Sequence, residues 1–477
     1  MTRAFPAAVL SLVLCVAPCG AADQPPHDPR IELLVTDAYA APPEFAADAL
    51  LRIAGSARVT DREWKRQLLD EAFLRAYQAP EAYRRTSARI PPESRQGAEV
   101  QAAETGLNRI TLQARVVQLM ATFAPARARE LFEWMNLDVA PATCASPLVP
   151  AVDEYYLTMG LIARTAFRGA PIEALQFFEY YLWRAFLPSE MPAVALAVQR
   201  FRPSAEDALH LQTLLATILE RGDSDPRGFS TANVDIVGRY ADLQFLDHQR
   251  GVPGWNLIEG VRAYVVRHLN GPRCNDSVTE TLLPETFNQA LRLMRVLDNE
   301  VKPIDGSKIA PTRLLDGARI DLFWQSGTAR QLQEAWLALR GRGVNPVPES
   351  IRRTEKWLNA ADELITKLDE WSGRSESQER DYLAEKCTLY TNIIDLAPVG
   401  SVRTRAVRSL VTFMRHEDND RARRALWFVY VRRLLELGSR DGRADVLAAM
   451  EASGNSVIAM YAHLERLVPV GSRASDR

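Results

Sequence analysis

A hairpin of two aromatic-rich helices is the sequence feature that most constrains the fold. Residues 150–187 read PAVDEYYLTMGLIARTAFRGAPIEALQFFEYYLWRAFL, two helical runs joined at Gly169. Gly169 suits the left-handed conformation that closes a helix, and Pro171 suits the first turn of the next one. Phe178 and Phe186 share one face of the second run with leucines, and further aromatic residues lie on its other faces. Because a helix that is apolar on most sides must be covered on most sides, we expect the hairpin to be internal and its aromatic residues to belong to the core.

Helical periodicity continues along nearly the whole chain. Apolar residues recur at helical spacing in roughly eighteen to twenty segments separated by short loops. A long loop is expected at 80–105, whereas 282–301 and 311–325 are predicted to be helical. No sustained alternation of apolar and polar residues indicates a strand. We therefore predict an all-α fold of stacked antiparallel helix hairpins, arranged as a solenoid-like or an irregular helical array.

Two helix pairs carry a spacing known from helical repeats. Ala128 with Phe132, and Ala174 with Phe178, both show the pattern Ala-x-x-x-Phe. In this respect the chain resembles tetratricopeptide-like solenoid proteins over about a third of its length. The Trp and Leu-Gly signature of the first repeat helix is missing, and the two pairs are not one repeat length apart. The resemblance implies stacked hairpins with an extended concave surface for binding other proteins.

The length of the chain favours two domains or one elongated array. Its 477 residues exceed the roughly 250–300 at which a single hydrophobic core stops growing. The stretch GRGVNPVPES is rich in Gly and Pro and is the clearest linker. The predicted segments are a signal peptide 1–22, a flexible leader 23–30, an N-terminal helical array 31–340, the linker 341–350, a C-terminal helical region 351–470 and a disordered tail 471–477.

The N-terminus has the pattern of a secretory signal peptide. Arg3 precedes the short apolar run 4–17, and small residues at 20–22 allow cleavage. This pattern predicts an exported protein, located in the periplasm or outside the cell. The alternative is a lipid anchor on Cys19, because the preceding Val-Ala-Pro partly matches a lipoprotein box. No later apolar stretch reaches about 18 residues without charge, so we expect no transmembrane helix after the signal.

The cysteines agree with an oxidising compartment. Cys19 and the cysteine at 15 would leave with the signal, so that Cys144, Cys274 and Cys387 remain. Cys144 and Cys274 occupy loop-like contexts, and Cys387 lies in a helical run. A disulfide between Cys144 and Cys274 is one expectation. Three unpaired thiols are the alternative.

Composition limits the classes of partner. A net charge of −2 gives no general attraction to nucleic acid or to an anionic membrane surface. A hydrophobic content of 47% is ordinary for a globular protein. Only six of the 58 basic residues are Lys, an arginine excess typical of a GC-rich bacterial genome. We expect no nucleic-acid partner and a protein partner of unknown identity.

Motifs that carry catalysis or bind cofactors are absent from the sequence. We find no G-x-G-x-x-G, no Walker A sequence, no G-x-S-x-G and no H-E-x-x-H. No two of the six histidines share a helical face at the spacing a metal site favours. We therefore predict no catalytic residue, no cofactor and no metal, while enzymes without such motifs stay open.

A basic run near the C-terminus is a candidate interaction face. Residues 402–433 contain nine Arg against three acidic residues. The candidate face consists of Arg403, Arg405, Arg408, Arg421, Arg424 and Arg432. Such a stripe could bind an acidic partner or lipid head groups. The alternative is a solvated helix face without a ligand.

Tryptophans and carboxylates near predicted helix ends suggest a cleft. In an (α/α) toroid, loops of this kind line sugar-binding clefts, and paired carboxylates there act as acid and base. The candidate cleft residues are Asp242, Asp247, Trp255, Glu259, Asp321 and Trp324. The alternative is that these are ordinary core tryptophans and surface carboxylates.

Three functions follow from these patterns. The first is an exported bacterial helical-repeat protein that acts as a protein-binding or scaffolding module. The second is an (α/α) toroid enzyme that acts on extracytoplasmic polysaccharide. The third is a lipid-anchored envelope protein, which would share the fold of the first.

Overall fold

The fold is all-α, as the sequence predicts. The computed structural model describes residues 27–80, 84–85, 90–137, 141–222, 224–275, 279–297, 299–341, 345–372, 379–415, 424–440 and 444–468. The signal peptide, Cys19, most of the leader and the C-terminal tail lie outside the described residues. Within these ranges, no helix combines the length and the apolar character needed to cross a membrane.

Helices account for most of the first two thirds of the chain. They are α1 (Pro29–Ala40), α2 (Pro43–Gly55), α3 (Arg62–Gln78), α4 (Arg95–Glu104), α5 (Arg109–Ala121), α6 (Pro125–Trp134), α7 (Asp153–Thr165), α8 (Pro171–Leu182), α9 (Met191–Phe201), α10 (Ala205–Arg221), α11 (Pro226–Gln249), α12 (Asn256–Asn270) and α13 (Thr279–Met294). A 3-10 turn, Gly306–Lys308, follows α13.

The remainder of the chain is also helical. Its helices are α14 (Gly327–Arg340), α15 (Glu349–Arg352), α16 (Glu355–Glu370), α17 (Glu379–Leu396), α18 (Ser401–Met414), α19 (Arg424–Arg440), α20 (Ala444–Glu451) and α21 (Ser456–Leu467). The linker predicted at 341–350 overlaps the start of α15, and residues 342–344 lie outside the described part.

Two pairs of short strands were not predicted. Strand β1 (Arg84–Arg85) pairs antiparallel with β2 (Val149–Pro150), and β3 (Pro272–Cys274) pairs parallel with β4 (Arg313–Leu315). The prediction of a helix at 311–325 is therefore wrong. Residues 316–326, which we call the crossing segment, continue from β4 and pair with the chain just before α4. Hydrogen bonds from distant backbone replace those that a local helix would supply.

The stretch predicted as a long loop at 80–105 contains α4. Ser94 caps this helix, because its hydroxyl accepts a hydrogen bond from the Gly97 N–H at 3.0 Å. Gly106 follows the helix with φ of +69°, the left-handed conformation that commonly ends helices. The prediction failed because few large apolar side chains lie in α4, although the capping signals at both of its ends are readable in the sequence.

The aromatic hairpin forms α7 and α8. Gly169 has φ of +83° and Pro171 opens α8, as predicted. Phe178 is fully buried, but α8 ends at Leu182, four residues earlier than the predicted face requires. Phe186 is consequently 43% exposed. Tyr180 and Trp183 are 56% and 46% exposed, so the prediction that the aromatic residues of the hairpin belong to the core is wrong for these three.

Two series of helices pack against their next-but-one neighbours in the chain. The series α3, α5, α7, α9, α11 and α13 follows this order, as does the series α14, α16, α18 and α20. Helices α7 and α9 approach closely at Gly160, where a Cβ atom would lie 2.4 Å from the carbonyl oxygen of Ala197. This order agrees with stacked hairpins, whereas a regular solenoid stays a prediction.

The first and last helices contact each other. Helix α21 packs against α1 and α2. The Tyr461 hydroxyl donates a hydrogen bond to Asp48 at 2.9 Å, and Arg52 forms an ion pair with Glu465 at 2.9 Å. One hydrophobic core contains residues from both sides of the predicted linker, and α14 packs against α16 across it. The predicted division at 341–350 into two helical regions stays a prediction.

A disulfide joins the segment before α7 to strand β3. Cys144 and Cys274 are bonded, with their Cα atoms 5.3 Å apart. The carbonyl oxygen of Cys144 also accepts a hydrogen bond from the Arg227 guanidinium at 2.7 Å. These contacts attach the Pro-rich segment before α7 to the start of α11 and to β3. Cys387 is a buried free thiol in α17.

Candidate functional site

A cleft of about 570 Å³, which we call the polar cleft, lies where α4, α17 and α19 meet. Four segments line it: the start and inner face of α4, the crossing segment, α17 and α19. Its lining residues are Pro92, Glu93, Gln101, Glu104, Thr105, Phe323, Thr388, Thr391, Asn392, Asp395, Val429, Tyr430, Arg432, Arg433 and Glu436. Most of these side chains are polar, so the cleft suits a ligand that can form hydrogen bonds.

Backbone contacts with α4 hold the crossing segment at the cleft. The Phe323 N–H donates to the carbonyl oxygen of Glu93 at 2.9 Å, and the Arg95 N–H donates to that of Asp321 at 3.0 Å. Ser94 and Leu322 form the antiparallel bridge between these contacts. The ring of Phe323 is buried at the cleft wall. The wall is thus formed by residues more than 200 positions apart in the sequence.

Arg95 organises the carboxylates beside the cleft. Its guanidinium contacts both carboxylate oxygens of Asp381 in α17 at 3.1 Å, and Asp321 at 3.4 Å. The hydrogen bonds to Asp381 raise the pKa of Arg95. A bidentate contact of this kind fixes the carboxylate orientation as well as its charge. Asp321, a predicted cleft residue, therefore lies in an ion-pair cluster that ties α4 to α17.

Trp324, another predicted cleft residue, lies next to this cluster in a strained conformation. Its φ is +66°, which is uncommon for a residue other than glycine. Its backbone N–H donates to the carboxylate of Glu385 at 2.7 Å. Burial raises the pKa of Glu385, and the nearby Asp381 acts in the same direction. The Glu385 contact holds the end of the crossing segment against α17.

The charges that line the polar cleft are predominantly negative. It contains the carboxylates of Glu93, Glu104, Asp395 and Glu436 and the guanidiniums of two arginines. Arg433 pairs with Asp395 at 2.7 Å and with Glu436 at 3.3 Å. Among the described residues, Glu93 and Glu104 form no ion pair. These two exposed carboxylates are available for a cationic group of a ligand.

Tyr430 and Thr388 form the hydrogen-bonded base of the cleft. The Tyr430 hydroxyl donates to the carbonyl oxygen of Ala384 at 3.1 Å and lies 3.2 Å from the Thr388 hydroxyl. Burial raises the pKa of Tyr430, so its hydroxyl stays protonated. The hydroxyl groups at the base therefore form their hydrogen bonds within the protein. The exposed carboxylates of Glu93 and Glu104 are the groups available to a ligand.

The other predicted cleft residues lie outside the polar cleft. Asp242 is exposed on α11, whereas Asp247 is buried and accepts a hydrogen bond from Gln212 at 2.9 Å. Trp255 stacks on His248 with ring centroids 4.7 Å apart. Glu259 pairs with an arginine one turn along α12. The structure thus groups Asp321 with Trp324 only.

The predicted basic face is divided among several contacts. Arg403, Arg405 and Arg408 lie on α18, and Arg424 and Arg432 lie on α19. Arg405 pairs with two aspartates of α16, and Arg424 pairs with a buried glutamate of α2 at 3.2 Å.

Arg432, by contrast, lines the polar cleft, and its guanidinium donates to the carbonyl oxygen of Glu104 at 3.4 Å. Arg421 lies outside the described residues. Arg405, Arg424 and Arg432 therefore point toward three different helices, which does not favour a single basic stripe.

Comparison with known proteins adds no function. No family model, curated protein or solved structure matches this chain. Within the described residues, no cluster of His, Cys, Asp or Glu has the arrangement of a metal site.

The α4 residues of the polar cleft were missed because their segment was predicted to be a loop. The capping signal at Ser94 could have identified that helix.

Proposed function

We propose that this chain is a protein-binding module whose polar cleft receives an extended, basic segment of a partner protein. The excess of carboxylates over arginines in a cleft built from four chain segments carries the proposal. Its volume falls within the range of roughly 300–1,000 Å³ typical of ligand sites. A partner lysine or arginine would pair with Glu93 or Glu104, which have no ion-pair partner among the described residues.

The polar lining supports a peptide over an apolar small molecule. Pockets for small molecules are mostly apolar with a few polar groups, and the polar cleft has the opposite composition. Threonine, asparagine and glutamine side chains can bind the main chain of an extended segment. Charge complementarity would then provide specificity and fast association more than high affinity. Binding should accordingly weaken as salt concentration rises.

A peptide selection experiment tests this function. A random peptide library is panned on the purified chain, and selected peptides are measured by fluorescence anisotropy. We expect enrichment of peptides rich in Lys and Arg, and at least a fivefold loss of affinity in a Glu93→Gln, Glu104→Gln double variant. The matched control is Glu206→Gln with Asp235→Asn, two exposed carboxylates on α10 and α11. Enrichment of acidic peptides, or equal losses in both variants, would refute the role of the cleft.

Export and a solenoid-like arrangement are part of the same proposal. The N-terminal pattern supports secretion to the periplasm or the medium, and the next-but-one packing of helices supports a repeat-like array. Fusing residues 1–22 to a reporter that is active only after export tests the location. Mass analysis of the mature protein, with Cys19→Ser as control, distinguishes a cleaved signal from a lipid anchor. An unprocessed N-terminus on the cytoplasmic protein would contradict export.

A polysaccharide-degrading enzyme receives less support. That hypothesis requires paired carboxylates on opposite sides of a sugar. Asp247 accepts a hydrogen bond from Gln212, whereas Glu259 and Asp321 form ion pairs with Arg262 and Arg95. These three carboxylates lie on separate elements and form no such carboxylate pair. Release of reducing sugar from cell-envelope polysaccharide by the purified chain would restore the hypothesis.

A further inference from the structure

A second cavity lies at the end of the aromatic hairpin, away from the polar cleft. It has a volume of about 210 Å³, and we call it the tyrosine pocket. Its lining residues are Asn136, Leu137, Tyr155, Tyr156, Tyr181, Arg184, Phe186 and Glu190. Four of the eight are aromatic, one is an acid and one is a base. None of them lines the polar cleft, so the two cavities are independent.

The floor of the tyrosine pocket is a buried carboxylate. Glu190 is 1% exposed, and one of its oxygens accepts a hydrogen bond from the Tyr156 hydroxyl at 2.7 Å. The other oxygen accepts from the backbone N–H groups of Leu187 at 2.8 Å and Phe186 at 3.1 Å. Burial raises the pKa of Glu190, and these three hydrogen bonds oppose the rise. Burial thus disfavours the charged form of Glu190, and its acceptor atoms are already largely satisfied.

Aromatic rings form the walls. Tyr155 lies edge-on to Tyr156 with ring centroids 5.3 Å apart, and both are buried. Tyr181 is also buried and packs on Phe132 at 5.1 Å, which fixes its ring. Phe186 completes the wall at the mouth, where it is 43% exposed. Faces of aromatic rings attract cations, so these walls suit a positively charged group.

Arg184 places a positive charge at the mouth. Its guanidinium lies 4.4 Å from the centroid of the Tyr180 ring and 5.5 Å from that of Tyr181. It is also hydrogen-bonded to the Tyr180 hydroxyl. Among the described residues it forms no ion pair with a carboxylate. The pocket thus has a buried carboxyl group at its floor, aromatic walls and a positive charge at its mouth.

We propose that the tyrosine pocket binds a zwitterion in which a quaternary ammonium group is joined to an anionic group, as in phosphocholine. The ammonium group would enter between the aromatic walls toward Glu190, and the anionic group would contact Arg184. A primary ammonium group fits less well, because Glu190 already accepts three hydrogen bonds and each buried N–H left without an acceptor is costly. A quaternary ammonium group has no N–H to satisfy.

Calorimetric titration of the full chain tests the ligand class. The probes are phosphocholine, choline, phosphoethanolamine and inorganic phosphate, each as a dissolved compound. We expect phosphocholine to bind more tightly than choline, at least tenfold more tightly than phosphoethanolamine, and inorganic phosphate not to bind. Equal affinity for phosphocholine and phosphoethanolamine, or binding of phosphate alone, would overturn the proposal, as would no binding of phosphocholine.

Variants locate the site. Tyr181→Leu should weaken phosphocholine binding roughly tenfold to thirtyfold by removing one cation–π face, whereas Tyr181→Phe should retain it. Arg184→Gln should reduce phosphocholine affinity to that of choline without lowering choline affinity. Phe245→Ala is the control for surface aromatics, because Phe245 is 42% exposed on α11, outside the pocket. Unchanged binding in Tyr181→Leu and Arg184→Gln would exclude this pocket.

Vesicles identify the source of the ligand. Phosphatidylcholine vesicles that bind the chain and release it on addition of dissolved phosphocholine indicate a lipid head group. Binding of dissolved phosphocholine without vesicle binding indicates a free solute. Both outcomes support the zwitterion site. Vesicle binding that dissolved phosphocholine does not compete, and that Tyr181→Leu leaves unchanged, would assign membrane attachment to another surface and exclude a lipid head group as the ligand of this pocket.

Discussion

Replacement of Phe178 by Ala measures how far the aromatic hairpin forms part of the core. Phe178 is fully buried in α8, and its ring stacks on Phe201 of α9 with centroids 4.8 Å apart. The substitution removes the buried ring and leaves a cavity that neighbouring helices fill only partly. Such substitutions cost about 3–5 kcal/mol, a large part of the roughly 5–15 kcal/mol that stabilises a domain.

Urea unfolding followed by far-UV circular dichroism measures the loss in free energy of unfolding caused by Phe178→Ala. Hydrogen exchange of α8 and α9 shows which of the two helices loses stability. The matched control is Tyr180→Ala on the same helix, because Tyr180 is 56% exposed. The control should cost less than about 1 kcal/mol. A loss below about 1 kcal/mol at Phe178 would refute the core assignment and show that α8 is covered by less of the protein than the structure indicates.

Three further predictions concern other contacts. Cys144→Ser should destabilise the oxidised protein by about 5 kcal/mol, since the bond to Cys274 spans 130 residues, and alkylation of native Cys144 would contradict the disulfide. Gly160→Ala should lower the free energy of unfolding by about 1–3 kcal/mol, because the added Cβ atom clashes with α9. The control Gly238→Ala has open space around it and should raise the free energy of unfolding by up to about 1 kcal/mol. Equal effects of the two variants in urea unfolding would be inconsistent with the packing. Burial lowers the pKa of His268 from 6.5 to about 4, so between these pH values the unfolded state binds a proton that the folded state excludes. The free energy of unfolding should therefore fall by up to about 3 kcal/mol as the pH drops from about 6.5 to about 4. A His268→Gln variant with the same pH dependence would contradict this prediction.

Local sequence patterns predicted the helical content and the hairpin connection correctly. Gly169 and Pro171 act through their own backbone preferences, so their positions in the connection are readable without knowledge of the fold. Burial of Phe178 follows in the same way from the periodicity of α8. The end of the helix did not follow. The α8 pattern continues to Phe186, but the helix ends at Leu182, and Glu190 accepts hydrogen bonds from the backbone of residues 186–187 in the turn that follows.

Contacts between distant segments could not be predicted. Asp321 and Trp324 drew attention as a carboxylate beside a tryptophan, but their partners Arg95, Asp381 and Glu385 come from two other elements. Residues 313–326 are extended because backbone groups at β3 form hydrogen bonds with β4, and backbone groups before α4 form hydrogen bonds with the crossing segment. This strand pairing depends on how the helices stack against one another. It therefore cannot be predicted from the pattern of residues within 311–325.

The Glu190 carboxylate has a structural role that must be separated from ligand binding. It fixes the turn after α8 by accepting two backbone hydrogen bonds, and it satisfies the buried Tyr156 hydroxyl. This role alone explains why an acid is buried there, so destabilisation of Glu190→Gln would not discriminate between a folded turn and a binding site. Arg184 is exposed and forms no carboxylate ion pair among the described residues, and its contacts are with the exposed Tyr180 and the ring of Tyr181. The zwitterion proposal therefore depends on Arg184 and on the ring of Tyr181, whose conservative replacement by Phe keeps the packing.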